Sequence, residues 1–354
     1  MRAAVYHGPN KLEVEDVAEP APAPGTVKVK VGFNGICGTD LHEYYAGPIF
    51  IPTEPHPLTH QQMPLVVGHE FSGVITDVGE GVTGWAEGDR VAIEPVYKCG
   101  HCPSCRAGNY NICAQIGFHG LMSDGGMAEY TVVPTDMLHK LPDNVSLQLG
   151  ALVEPMSVAY HAATLSDVKS GDTAMVFGAG PIGIGLWFAL RGRGVDDVFV
   201  VEPSPTRRAS IEALGAATLD PTTVDVPAFI ADHTGGGGAG AVFDAAGVAP
   251  AVEVALACVG ARRPMVSVAI YEKPLTTPLL NLVMNESRIQ GSLCYTAADF
   301  EAVIALMAQD AYDTTGWVTE IGIDDVVDQG FEALHLGTKM KVLVDPSMQG
   351  AQAS

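Results

Sequence analysis

From about residue 154 onward, apolar β-rich runs alternate with helix-like stretches, and this alternation constrains the fold more than any other feature of the chain. Residues 173–177 form an apolar run closed by Gly178, and a helix-like stretch follows through Ala189. Residues 197–201 are again β-rich. Helices over about 206–214 and 250–258 then separate further strands near 240–243, 265–269 and 288–293. Strands spaced by helices pair through crossover connections, so the expectation is a parallel, doubly wound sheet of the α/β class.

The preceding part has a different rhythm. Val27, Val29 and Val31 alternate with Lys28, Lys30 and Gly32, a period of two that marks a half-buried strand. Between residues 66 and 93, Gly73, Gly79, Gly81, Gly84 and Gly88 punctuate short apolar pairs, the pattern of a small β-barrel with glycine turns. Residues 46–63 read as a loop rich in Pro and His, residues 96–115 as a polar loop, and the last residues from about Gly350 as a frayed tail. A chain of 354 residues exceeds what one core usually spans, so two domains are expected.

A formal net charge of -22 repels phosphate backbones and anionic bilayers, which argues against nucleic acid or a membrane as partner. No apolar run is long enough to span a bilayer. The opening residues from Met1 to Tyr6 lack the apolar core of a secretory leader, so a cytoplasmic location is expected. Seven cysteines in a reducing compartment point to metal binding or catalysis rather than disulfides.

Four of them, Cys99, Cys102, Cys105 and Cys113, have the spacing CxxCxxCx7C. Thiolates this close in a turn-rich loop can close a tetrahedron around one zinc, leaving no position for water, so the site reads as structural. Four unrelated loop cysteines, or a ferredoxin-like cluster, are the alternatives. Ligand chemistry recurs at Cys37, at His69 and Glu70, and at Glu154. A thiolate, an imidazole and a carboxylate are what a catalytic zinc with one exchangeable position needs. Singly, each has a plainer reading: a small buried hydrophobe for Cys37, a core or surface histidine for His69, a helix-start carboxylate for Glu154.

Gly178, Gly180 and Gly183 match GxGxxG, with Ala179, Pro181 and Ile182 between them, after an apolar run and before a helix-like stretch. In that context Gly178 permits a tight turn, Gly180 lets the backbone approach a pyrophosphate, and Gly183 allows close helix packing. Glu202 follows Gly183 by 19 positions at the end of the next strand. A carboxylate there grips the ribose hydroxyls of NAD and repels the 2′-phosphate of NADP. Arg207 and Arg208 lie nearby and read either as phosphate contacts or as exposed helix charges.

Taken together, Gly68-His69-Glu70-Phe71-Ser72-Gly73-Val74-Ile75, Val78-Gly79 and Gly88-Asp89-Arg90-Val91 resemble the signature of the medium-chain, zinc-containing alcohol and polyol dehydrogenases, and the resemblance runs over essentially the whole chain. It implies a GroES-like β-barrel catalytic domain, residues 1–153 and 294–354, around a Rossmann domain, residues 154–293. It also implies two zincs per subunit: one catalytic, on Cys37, His69 and Glu154, and one structural, on the cysteine quartet. Glu70 then lies behind the ligands or exchanges with water. Thr39 accepts the alcohol proton, and His42 resembles a relay histidine, with Glu70 as a competing route. Gly47-Pro48-Ile49-Phe50-Ile51-Pro52, His56-Pro57, Gly117-Phe118 and Leu152-Val153-Glu154-Pro155 resemble the (R,R)-2,3-butanediol dehydrogenase branch. The implied activity is NAD-dependent oxidation of a small secondary alcohol or vicinal diol, 2,3-butanediol to acetoin, and the reverse. The alternatives are a sorbitol-type or threonine dehydrogenase and, more distantly, a non-catalytic zinc- or NAD(H)-binding protein. A homodimer or homotetramer pairing through the edge near 265–269 or 288–293 is implied. His56, His60 and His119 are candidates for the substrate entrance, and Cys258 and Cys294 for the core.

Overall fold

The computed structural model describes residues 1–348 apart from Glu272 and Pro278, so the tail expected from Gly350 lies outside the described residues. The chain divides into two compact units. One comprises Met1–Glu154, Thr296–Ala308 and Trp317 onward; the other comprises Pro155–Tyr295 and Gln309–Gly316.

The second unit is built on a six-stranded parallel sheet. Its spatial order is Ala217–Leu219, Asp197–Val201, Thr173–Phe177, Ala241–Asp244, Pro264–Ser267, Arg288–Gly291. Counted along the chain, that is third, second, first, fourth, fifth, sixth, the doubly wound order with its switch point beside the first strand. Ala174, Met175, Val176 and Phe177 are all buried, as a strand covered on both faces requires. The helix after it, Pro181–Gly192, starts with proline at a position where the missing N–H costs nothing. The alternation read from the sequence is therefore present. Ala217–Leu219 and the helix Val226–His233, capped by the Asp225 side chain on Ala228 N at 3.0 Å, are additions to it. A three-residue strand is too short to show a period.

The first unit holds a seven-stranded sheet. Thr26–Gly35 lies at its centre, flanked by Glu70–Val78 on one side and Lys341–Asp345 on the other. Val27, Val29 and Val31 are buried, as their alternation predicts, each contributing about 1.5–3 kcal/mol through burial. The antiparallel registers set Gly35 opposite Glu70 on one side and Leu343 on the other. The end of one strand and the starts of two others thus meet at the same edge, next to Ile36 and Cys37. The loop at residues 96–115 is not wholly irregular: Val96–Tyr97 pairs with Gly117–Phe118, and Pro103–Arg106 forms a short helix. Glu154 sits inside the helix Leu147–Leu165, not at its start, which removes the helix-start reading of that carboxylate. Among the described residues no helix is long and apolar enough to cross a membrane.

Candidate active site and metal centres

Cys37 precedes the helix Gly38–Ala46, and its backbone N–H donates to Asp40 Oδ2 at 2.9 Å, so Asp40 closes the first turn back onto the cysteine. The other carboxylate oxygen of Asp40 lies 3.5 Å from Nδ1 of the buried His69. Neither of these two atoms has a hydrogen-bond partner among the described residues. A metal-bound imidazole directs its second nitrogen to a carboxylate, and this is the arrangement that orients it. Ligand atoms of Cys37, His69 and Glu70 all lie within 4.8 Å of one another. Thiolate, imidazole and carboxylate at that spacing fit one zinc ion. Glu154 stands outside this group, yet it is buried and close enough to act electrostatically on Lys341. Thr39 Oγ1 is 3.6 Å from Cys37 Sγ, and His42 follows on the same helix, half-buried.

Beneath these groups lies Lys341, the only Lys or Arg fully buried among the described residues. Its Nζ donates to the Ile36 carbonyl at 3.0 Å and forms an ion pair with Glu70 Oε2. Burial pushes this ammonium down; Glu70 foremost, then Cys37 and Glu154, push it up, and the balance lies above the ordinary lysine value. Asp40 and Lys341 are the functional residues that the sequence reading missed. Asp40 has a local signal, its place three residues after a helix-capping Cys37. Lys341 has none, because a single lysine opening a strand looks like any exposed charge.

The cysteine quartet is gathered as its spacing suggests, with the four sulfurs within 4.8 Å of one another. Cys99 Sγ and Cys105 Sγ are 3.9 Å apart. Two sulfurs about 2.3 Å from one tetrahedral zinc would be roughly 3.8 Å apart, so the pocket has the right size. Backbone N–H groups point at the sulfurs: Cys99 N at Cys113 Sγ and Cys102 N at Cys99 Sγ, both 3.3 Å, and Cys105 N at Cys102 Sγ, 3.4 Å. The N–H groups of Ala114 and Cys105 bring the Cys102 thiol down to about 6, which favours the thiolate that a metal binds.

His119 is buried, with Nε2 2.9 Å from Thr131 Oγ1 and Nδ1 3.0 Å from Tyr97 Oη and 3.2 Å from Ser123 Oγ. Burial lowers its pKa to about 3, so the ring is neutral. His56 is half-buried and His60 exposed.

In the second unit the glycine loop has the shape its spacing predicts. Gly178 adopts φ +102°, a left-handed conformation open to glycine. A Cβ on Gly183 would overlap the Gly178 carbonyl, so the loop can close only with glycine there. At Gly180, by contrast, a Cβ would meet nothing within 4 Å. Open space there, in front of the unpaired N–H groups that begin Pro181–Gly192, is a cradle that a pyrophosphate fits. Pro181 and Ile182 form the first turn of that helix. Glu202 is buried, its two oxygens accepting N–H bonds from Ala179 at 2.9 Å and Ser204 at 2.8 Å, which holds the carboxylate against the loop. Arg208 is not free to meet a phosphate: it donates to the Glu202 and Pro203 carbonyls at 2.7 and 2.8 Å and pairs with Asp220 at 2.9 Å. Arg207 is exposed.

Two family models match the chain: the alcohol dehydrogenase GroES-like domain over residues 23–143 and the zinc-binding dehydrogenase domain over residues 181–309. The (R,R)-butanediol dehydrogenase of Bacillus subtilis (strain 168) is 42% identical over 353 residues, which cover 98% of this chain and 100% of the relative. The crystal structure of 2R,3R-butanediol dehydrogenase from Bacillus subtilis superposes with a TM-score of 0.92 at 41% identity, covering 98% of this chain and 99% of that one. A zinc-binding dehydrogenase from Sinorhizobium meliloti 1021, bound to NADP, gives a TM-score of 0.88 at 30% identity over 98% of this chain and 99% of its own. An alcohol dehydrogenase from E. coli CFT073, complexed with NADH, gives 0.87 at 29% over the same shares. The chain belongs to the zinc-binding alcohol dehydrogenase family with a GroES-like domain.

Proposed function

We propose that the chain oxidises 2,3-butanediol to acetoin with NAD, and catalyses the reverse reduction. The observation that carries this is the convergence of Cys37, His69 and Glu70, with Asp40 behind His69, in a chain 42% identical to an (R,R)-butanediol dehydrogenase. A zinc held by Cys37, His69 and a carboxylate, Glu154 or Glu70, supplies a Lewis acid that acidifies the substrate hydroxyl. Bound NAD supplies the hydride acceptor. The chain's own part is to orient and to move a proton. Asp40 fixes the His69 ring, and Thr39 accepts the proton of the alcohol. His42, three residues further along the same helix, hands it on, and the Glu70 carboxylate offers a second route.

Gly178, Gly180, Pro181, Ile182 and Gly183 hold the pyrophosphate. Glu202 takes the adenosine ribose and selects NAD over NADP, and Arg207 lies beside it at the surface. Cys99, Cys102, Cys105 and Cys113 hold a structural zinc. The catalytic part is assigned to residues 1–153 with 294–354 and the dinucleotide part to 154–293, while Gln309–Gly316 groups with the second compact unit. The enzyme works in the cytoplasm, a reading supported by seven free cysteines. It assembles as a homodimer or homotetramer. Support for this comes from the edge strand Arg288–Gly291 and the preceding helix Leu279–Asn285, whose Leu279, Leu280, Val283 and Met284 are all exposed. Sedimentation should find at least a dimer.

Metal analysis of Cys37→Ser tests the site. The parent should hold two zincs per chain and the variant one, with alcohol oxidation lost and the thermal midpoint little changed. A fully active variant would falsify the assignment.

A further inference from the structure

We infer that Tyr271 and Asp244 are positioning residues for the cofactor: the bond between their side chains holds residues 268–271 in place as a wall of the crevice on the nicotinamide side. This rests on the NAD reading above.

Asp244 ends the fourth strand along the chain, level with Phe177 in the register, and is fully buried. A carboxylate survives burial only when its oxygens are hydrogen-bonded, and every bond that this one accepts reaches a strand end. Oδ1 accepts the N–H groups of Ala246 at 3.0 Å and Gly247 at 3.2 Å, which closes the turn that leaves its own strand. Oδ2 accepts the Tyr271 phenol at 2.6 Å. The phenol oxygen also lies 2.7 Å from Ser267 Oγ, at the end of the fifth strand. Burial foremost, with Asp244 beside it, pushes this phenol up to about 12, so it keeps the proton that it donates. The Asp244 carbonyl meanwhile accepts Val268 N–H at 3.0 Å and Ala269 N–H at 3.2 Å. Two backbone bonds therefore fix the start of the segment after the fifth strand, and the phenol fixes its far end.

The turns so tied pack against the glycine loop. A Cβ at Gly178 would lie 3.2 Å from the Ala245 carbonyl and from Ala246 N, and one at Gly247 would lie 3.0 Å from Ala269 Cβ and from the Ile270 carbonyl oxygen. The ends of the first, fourth and fifth strands thus stand within a methyl group's width of one another. In an open α/β sheet a dinucleotide lies across the strand ends at the switch point, one mononucleotide to each side. With the adenosine ribose at Glu202, after the second strand, the nicotinamide half falls to the side of the fourth and fifth strands, where Tyr271 and Asp244 act.

Titration with NADH, followed by its fluorescence, and with ADP-ribose, which lacks the nicotinamide ring, followed by calorimetry, tests this. In Tyr271→Phe the far end of the segment is released. If the segment then holds its place in about one molecule of ten, NADH affinity falls roughly tenfold, while ADP-ribose affinity stays parental. Ser267→Ala leaves the Tyr271–Asp244 bond and should bind both ligands as the parent does. Asp244→Asn keeps an oxygen for the Ala246 and Gly247 N–H groups and replaces the charged bond to the phenol with a weaker neutral one, so its loss should be smaller and again confined to NADH. A melting curve shows which variants are folded. Parental NADH affinity in folded Tyr271→Phe would overturn the inference. So would an equal loss for both ligands, the mark of a general loosening. A parent that binds neither ligand would overturn the NAD reading itself, and this inference with it.

Discussion

Substituting alanine at Gly180 and at Gly183 should separate cofactor binding from folding, although the two glycines lie in the same turn. At Gly180 the backbone is in an ordinary extended region, φ -75°, and an added Cβ meets nothing within 4 Å. Alanine therefore costs the apo fold little. A gain of about 0.4–1 kcal/mol from a stiffer unfolded chain roughly offsets the poorer helix cap. The thermal midpoint should move by no more than about 2–4 °C either way. The same Cβ, however, occupies the space through which a pyrophosphate would reach the first N–H groups of Pro181–Gly192. Losing one charge-assisted hydrogen bond costs about 1.5–3 kcal/mol, so NADH should bind roughly 10- to 100-fold more weakly. At Gly183 the Cβ runs into the Gly178 carbonyl, a backbone atom that cannot step aside, so Gly183→Ala should lower the midpoint markedly even without cofactor. The assay is NADH fluorescence titration beside a melting curve for each variant. Gly180→Ala with parental NADH affinity would refute the cradle, and Gly183→Ala with a parental midpoint would refute the closeness of the turn.

Two further outcomes are expected. Glu202→Ala removes the acceptor for Ala179 N–H and Ser204 N–H, and with it the charge that opposes a 2′-phosphate. The ratio of kcat/KM with NADP to that with NAD should rise by about tenfold or more, one good charged contact's worth. His119 gives the fold an acid limb. Its folded pKa of about 3 lies below the unfolded value of about 6.5, so the unfolded chain binds the extra proton. Stability is whole above about pH 6.5 and is lost as pH falls, about 2 kcal/mol of it by about pH 5. Urea midpoints at the two pH values should show this drop in the parent and a smaller one in His119→Asn; equal drops would remove His119 as the cause.

The parallel sheet was legible because its central strands are apolar on both faces, as residues 174–177 are before Gly178; the order of its strands, and the short strand Ala217–Leu219, were not. The cysteine quartet was legible because its ligands are local: spacing along the chain carries the geometry. The second metal centre was only partly legible. Cys37 and His69 come from strand ends brought together by a sheet register that no local pattern encodes. Lys341 reaches the same corner from the far end of the chain, and nothing in Lys341-Val342-Leu343-Val344 says that its first side chain points inward. Glu154 shows the opposite limit. A proline after it suggests a helix start, but the helix runs through both, because tertiary packing outweighs the local penalty.

Oxidation of a vicinal diol by zinc and NAD is tested most directly by NADH appearance with the zinc-loaded enzyme across a panel. The panel holds the three stereoisomers of 2,3-butanediol, sorbitol, threonine and ethanol. Rapid turnover of a butanediol isomer, with acetoin as product and little reaction of the others, is the predicted result. Faster turnover of sorbitol or threonine would contradict the diol reading while keeping the zinc chemistry, and no turnover of any alcohol by protein shown to hold zinc at Cys37 would contradict both.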